Sequence, residues 1–475
     1  MLFRLGLGVG QSGVKRSFSL LEFPGVLLPT FQHTLAALQQ MSESLDLPFS
    51  EVLAPTDGIS DSAGIDKPAY TKKNDFRFNM SALSTDNQTF ELDVNAPDDA
   101  ATISAKTRLD VAQAEAVIST LSRAMSLIQG PPGTGKSYTG VALMEVLLAN
   151  NAKAKLGPVL CVTFTNHALD QILEHLLDAG LNQIIRIGSR SKSEVLAPLN
   201  LRLVAQKHDM TKLEQRERFT HKDNIAANAS TIKSTLDRWR HAFSHQSIFA
   251  FLEQKHPSVA RQLSGPKIDD DGFETVESRQ KGKGLKAWLS GDSHQPVRVH
   301  EDDETDIFSL RNAARQRLYT DWKEEIANPV QRELVASIRG FEEAKAGLDR
   351  VRSEVDLHVL SAANVIGVTT SGLARNINLL RRLNSKVLLV EEAGEVLEAH
   401  LLTAMLPSIE HAILIGDHQQ LRPKAQNYEL SCENPRSQTK MDVSLFERLV
   451  APQEHGAHPL PFVTLETPCI LLFLN

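Results

Sequence analysis

The sequence predicts an α/β fold: a doubly wound parallel sheet interrupted by a long helical insertion, with a small accessory region ahead of it. Three observations carry this. Short apolar runs alternate with amphipathic helical stretches between Leu109 and Leu203. A glycine-rich turn follows the first of those runs at once. The alternation stops, gives way to a polar stretch over 205–357, and resumes at Val365. Strand, helix, strand at this spacing means a parallel sheet covered on both faces.

The elements follow in order. Residues 1–108 read as the accessory region, with a strand-rich piece at 21–28 broken by Pro24, a helix over 30–45, and turn-rich chain from Pro48 to Asp99. The first twenty residues lack acids and carry Arg4, Lys15 and Arg16, a faint transit-peptide composition that an arbitrary or misplaced start explains better. Residues 109–204 form the first part of the sheet domain. Helical spacing covers 111–121, a strand 126–129, a helix 138–148, a strand 159–164 and a helix 168–177. Residues 205–357 read as a helical insertion. It holds all three tryptophans (Trp239, Trp288, Trp322) and a mobile tip over 264–306, rich in glycine and acids. Strands at 365–369, 387–390 and 412–415 complete the sheet within 358–450. Residues 451–475 read as a linker.

Composition excludes several classes. The chain of 475 residues carries a net charge of -7, so any nucleic-acid site must be a local groove rather than a basic body. Three scattered cysteines (Cys161, Cys432, Cys469) support neither a disulfide framework nor a zinc finger. No run is long and apolar enough to suggest a membrane span.

Four segments carry chemistry. Gly130, Pro131, Pro132, Gly133, Thr134, Gly135, Lys136 and Ser137 fit the GxxxxGK[ST] pattern between a strand and a helix. Such glycines let successive amide N–H groups turn inward around phosphate oxygens, and the helix N-terminus adds partial positive charge. Lys136 is expected to reach the β- and γ-phosphates, and Ser137 to ligate Mg²⁺. Glu391 and Glu392 follow a strand, which places two acids at its carboxyl end. We assign Glu391 to the metal and Glu392 to the attacking water. Alone, such a pair equally suits an ordinary helix N-terminus. Gly416 to Pro423 close the next strand with polar side chains, among them an amide suited to a γ-phosphate, Gln420. Thr165 and Asn166 close another strand, where they either cap a helix or bind a phosphate backbone.

Taken together, the segments LDVAQAEAV (109–117), IQGPPGTGKS (128–137), TFTNHALD (163–170), RIGSRS (186–191), VEEAGEVLEAH (390–400), GDHQQLRP (416–423) and VSLFERLV (443–450) resemble superfamily 1 helicases of the Upf-like group, in particular NFX-type zinc-finger-containing helicases. The resemblance implies a RecA-like P-loop NTPase that uses ATP and Mg²⁺ to move on single-stranded RNA or DNA. It implies partners among RNA-silencing or RNA-surveillance proteins, a place in the nucleus or cytoplasm, and no membrane. It implies that Gln113 reads the adenine edge, that Tyr138 flanks the nucleotide, and that Gln420 senses the γ-phosphate. Thr165, Asn166, Arg186, Thr369 and Thr370 are implied along the strand path. Where the family has Asp in the acid pair, this chain has Glu391, whose longer side chain still reaches a cation. The family's zinc array is not expected here. After Thr467 the tail from Pro468 to Asn475 resembles nothing in the family, so the chain is expected to stop short of a second motor domain. ATP binding is then expected to be weak, hydrolysis very slow, and the apolar tail 470–474 prone to aggregate, and the alternative to a working helicase motor is a catalytically crippled ATP- and RNA-binding scaffold.

Overall fold

The computed structural model describes residues 28–44, 47–53, 65–72, 76–86, 88–264, 283–291, 306–424, 428–436, 440–451 and 459–466. They fall into two compact units, one drawn from Met1–His208 and Val355–Asn475, the other from Asp209–Glu354. Among the described residues no helix is long and apolar enough to cross a membrane.

The first unit is built on a parallel sheet. Its strands are β3 (Met125–Gln129), β4 (Val159–Thr163), β5 (Ile184–Ile187), β6 (Val365–Thr369), β7 (Val387–Val390), β8 (His411–Gly416) and β9 (Val463–Thr464), after a small antiparallel pair, β1 (Arg77–Asn79) and β2 (Glu91–Asp93). The spatial order is β5-β6-β4-β7-β8-β3-β9. Residues 184–187 and 463–464 add two strands to those expected. Their runs are short, and β5 carries an arginine inside it, so periodicity alone passes over them. β3, β4, β7 and β8 are buried along their whole length. Their side chains alternate between two cores. Ile128, Cys161, Leu389 and Ile415 face one, and Leu127, Val162, Leu388 and Leu414 face the other. None of the parallel sheet's three strands that precede residue 205, β3, β4 and β5, pairs with another of the three. β6 lies between β5 and β4, and β7 and β8 lie between β4 and β3.

The N-terminal residues are integral to this unit. Tyr70, Phe76, Phe78, Met80 and Leu92 belong to the same core as the helices over the sheet. The Tyr70 hydroxyl meets Nδ1 of His411 at 2.8 Å, both side chains buried. The expected helix over 30–45 runs Leu28–Ser44. Of the strand expected over 21–28, Leu28 opens that helix and the rest lies outside the described residues, as do 1–20 and the tail 467–475.

The second unit pairs the helix Lys212–Ala242 with most of the helix Asn312–Ser361. A separate small core gathers Ile248, Phe249, Leu252, Leu285, Trp288 and Trp322. Within the stretch read as a mobile tip, residues 283–290 form a helix. Trp288 is fully buried there, its indole N–H donating to the Ile307 carbonyl at 3.0 Å. One indole with this much apolar area anchors chain that composition marks as loop. Residues 265–282 and 292–305 lie outside the described residues.

Burial pushes the His411 imidazole down to about 4, against an opposing pull from the Thr120 backbone. Its folded-state value lies below the unfolded one. The stability it contributes is therefore whole above about pH 6.5 and is lost as the pH falls towards 4. Replacing His411 with Gln is expected to flatten that part of the stability profile by about 3 kcal/mol. Urea denaturation at pH 7.5 and pH 4.5 measures it, and parallel profiles would show that another group is responsible.

Candidate nucleotide and nucleic-acid site

The phosphate loop begins where β3 ends. Its first amide, Gly130 N–H, donates to the Gly416 carbonyl of β8 at 3.2 Å. Gly133 and Gly135 sit at φ +81° and +82°, a left-handed region open to glycine at little cost. A side chain on Gly130 would press on Thr134 Oγ1 at 2.5 Å. Thr134 braces the turn, its hydroxyl donating to the Pro131 carbonyl at 2.8 Å. The helix Lys136–Ala149 starts directly after, so its unpaired N–H groups face the loop. Lys136 folds back, and its Nζ donates to the Gly130 carbonyl.

β7 and β8 deliver the acids. The Glu391 amide closes the ladder on the Val162 carbonyl at 3.1 Å, which fixes its backbone beside β4. Its side chain is buried, and Oε1 has no hydrogen-bond partner. Burial raises this carboxyl to about 7, with the Ser137 hydroxyl pulling down, Glu392 adding to the rise and Lys136 opposing it. Glu392 adopts φ +55°, a turn that separates two adjacent carboxylates. Although the residue as a whole is exposed, burial of its carboxyl, then Glu395, raises it, against His167 and Lys136. Burial lowers the Lys136 ammonium, opposed by Asp417, Glu391 and Glu392. Buried Asp417 accepts from the Gln419 amide at 2.9 Å and from Gln420 Nε2 at 2.8 Å.

Pro132, Lys136, Ser137, Glu391, Glu392 and Gln420 thus line one cavity of about 140 Å³, together with Ala168, Gln171, Gly394, Glu395, Ile415, Gly416 and Asp417. A buried carboxylate oxygen without a partner, next to a serine hydroxyl, suits a hard divalent cation. Left-handed glycines ahead of a helix N-terminus suit phosphate. Gln113 and Tyr138 lie outside this lining. Gln113 is buried in a reciprocal cap, its Oε1 accepting from the Asp110 amide at 3.2 Å and its own amide donating to Asp110 Oδ1 at 2.7 Å. Tyr138 lies under the Arg108 guanidinium, 5.9 Å from the ring centroid.

The residues expected along a strand path gather at the carboxyl ends of β5, β6 and β4, where Thr163 is level with Thr369 and Ile187 with Val368. Thr165 is exposed and Asn166 partly so. Thr165 and Thr369 each cap the helix that follows them. Two residues depart from expectation. Thr370 is buried, with its hydroxyl unpartnered. Arg186 is fully buried, its guanidinium consumed by Asp170, Asn166 and the Gly188 carbonyl, and lines no exposed path. A cation placed inside a strand with no free face was the signal for burial. Asp170 escaped the sequence reading, although it lies four residues after Asn166, on the same helix face. Asp417, Gln171 and Glu395 were likewise given no role.

A buried parallel sheet with a strand–phosphate loop–helix unit and acids at the next strand ends defines a RecA-like P-loop NTPase domain of the superfamily 1 helicase kind. Residues 108–426 match the family described as an AAA domain, and the chain belongs to that family. It is 26% identical to "NFX1-type zinc finger-containing protein 1" of Homo sapiens, over 75% of this chain and 25% of the relative. It is 28% identical to "Helicase required for RNAi-mediated heterochromatin assembly 1" of Schizosaccharomyces pombe, over 72% and 40%. A shorter stretch, 18% of this chain and 10% of the relative, is 36% identical to "ATP-dependent helicase upf1" of the same yeast. The chain thus spans a quarter to two-fifths of the length of the first two.

A side chain on Gly394 would sit 2.5 Å from the Asp417 carbonyl oxygen, where rigid backbone cannot yield. Gly394→Ala is expected to cost about 1–3 kcal/mol by overpacking and to weaken nucleotide binding by displacing the loop that carries Asp417. Chemical denaturation reads the first effect and fluorescent-nucleotide titration the second. Unchanged values in both would show that the seam opens freely.

Proposed function

We propose that this chain is the ATP-hydrolysing core of a helicase that moves on single-stranded nucleic acid, with RNA as the working polymer. The observation that carries this is that Lys136, Ser137, Glu391, Glu392 and Gln420 line one cavity. In that reading Lys136 draws charge from the β- and γ-phosphates, and the loop amides hold their oxygens. Mg²⁺, held by Ser137 and Glu391, neutralises phosphate charge when bound. Glu392 orients the attacking water and accepts its proton. Burial of its carboxyl raises it, which makes it a better base than a fully solvated carboxylate. Gln420, steadied by Asp417, hydrogen-bonds the terminal phosphate. Asn166, Thr165 and Thr369 take the strand at the neighbouring strand ends. The yeast relative's name supports RNA, and with it partners in RNA silencing and a nuclear site of action. Surveillance proteins and cytoplasmic action are the second possibility the family offers.

Three proteins test the reading: wild type, Lys136→Ala and Glu392→Gln, assayed by nucleotide titration and single-turnover ATP hydrolysis with and without poly(U) RNA. Lys136→Ala is expected to lose nucleotide affinity. Glu392→Gln is expected to bind nucleotide and hydrolyse it about 10²–10⁴-fold more slowly than wild type. Equal rates in all three would remove any catalytic role from the cavity.

A further inference from the structure

The buried ion pair of Arg186 and Asp170 ties two loops together. Arg186 Nε donates to Asp170 Oδ1 at 2.7 Å, Nη2 to Asn166 Oδ1 at 3.0 Å and Nη1 to the Gly188 carbonyl at 2.9 Å. The other Asp170 oxygen accepts from the Ser191 hydroxyl at 2.8 Å and the Lys192 amide at 3.2 Å. Asn200 adds a further donor to the Gly188 carbonyl. Two side chains, Asn166 and Ser191, and two backbone groups thus converge on one guanidinium–carboxylate pair, joining the start of the helix Asn166–Asp178 to the loop after β5. Such a pair earns little net stability, because desolvation offsets the attraction; its clearest effect is to fix geometry. The geometry fixed here is that of a polar loop at the carboxyl edge of the sheet, where Gly188 takes φ +122°.

That loop presents cations. Ser189, Arg190 and Lys192 are exposed beside exposed Thr165 and half-exposed Asn166. Neither Arg190 nor Lys192 has an acidic partner among the described residues, and Asp170 is fully occupied beneath them. Of the three cations in residues 186–192, Arg186 is neutralised by Asp170, which leaves Arg190 and Lys192 as uncompensated charge in a chain of net charge -7. This is the local basic site that an acidic chain requires if it is to hold a polyanion.

We propose that Arg190 and Lys192 bind backbone phosphates of a single-stranded nucleic acid, on a loop locked in place by Arg186 and Asp170, which are positioning residues that never touch the strand. The proposal rests on the reading above that the chain binds a single strand. It moves the strand-contacting charge from Arg186 to two residues to which the resemblance assigned no role, Arg190 within the segment RIGSRS and Lys192 just after it.

The test is fluorescence anisotropy of the full chain with labelled twenty-nucleotide oligo(U) RNA and oligo(dT) DNA, across a range of salt concentrations. Arg190→Ala with Lys192→Ala is expected to keep the wild-type melting temperature and to weaken binding on the order of tenfold at low salt, with the log–log salt slope reduced by about 1.4. The weakening should be equal on RNA and DNA, because both present phosphates. Loss on RNA alone would mean contact with the 2′-hydroxyl and would overturn the phosphate assignment. Arg186→Met with Asp170→Leu replaces the pair by apolar groups that tolerate burial, and Arg186→Lys keeps the charge without the three-way fork. Whichever of these folds with a wild-type near-UV spectrum is expected to bind the oligonucleotides as poorly as the loop variant. Wild-type affinity in either would reduce the pair to a structural element and overturn its positioning role. Wild-type affinity in the loop variant would overturn the assignment to Arg190 and Lys192. A wild-type chain that binds neither oligonucleotide would overturn the single-strand reading itself.

Discussion

The site depends on charges being held against one another where water is scarce. Glu391 and Asp417 are buried, and Lys136 is partly so. A parallel sheet covered on both faces cannot carry ionised groups along its strands, so they collect where the strands end. Burial drives the Lys136 and Glu391 groups towards neutrality while their mutual attraction drives them back. The result is a set of charges ready to change partners. Lys136 rests on the Gly130 carbonyl and Gln420 on Asp417, contacts that a terminal phosphate would replace at small cost.

The same edge serves both halves of the proposed activity. Nucleotide-side residues stand at the ends of β3, β7 and β8, and strand-side residues at the ends of β5, β6 and β4. The helix Asn166–Asp178 borders both. Ala168 and Gln171 line the cavity, while Asn166 and Asp170 are held by Arg186. A ligand that shifted this helix on one side would move residues on the other within a single packed element.

Much of this was legible in the residues themselves. The glycine pattern, the paired acids and the buried runs of β4, β6 and β7 are local signals, each set by steric or solvation demands within a few residues. What stayed hidden was set by distant partners. Arg186 reads as a surface cation until Asp170 and Asn166 are placed beside it. Gln113 reads as a base-binding amide, and its part in a helix cap shows only once Asp110 is placed beside it. The helix at 283–290 depends on Trp288 finding the Ile307 carbonyl and the face of Trp322. β9 has only two residues and exists because β3 offers an edge. Aromatic residues of the N-terminal stretch look like loop composition, yet they fill the motor core beside the helices over the sheet.

The interleaved strand order has a consequence for synthesis. Every ladder bond of β3, β4 and β5 is made to a strand encoded after residue 360. A ribosome adding about 5–20 residues per second needs on the order of 10–40 s to travel from the end of β5 to the start of β6. For that interval three apolar strands have emerged with no backbone partner among themselves. The nascent chain thus passes through an interval with open edges, and a stop codon inside the intervening helices would leave β3, β4 and β5 without any of their strand partners.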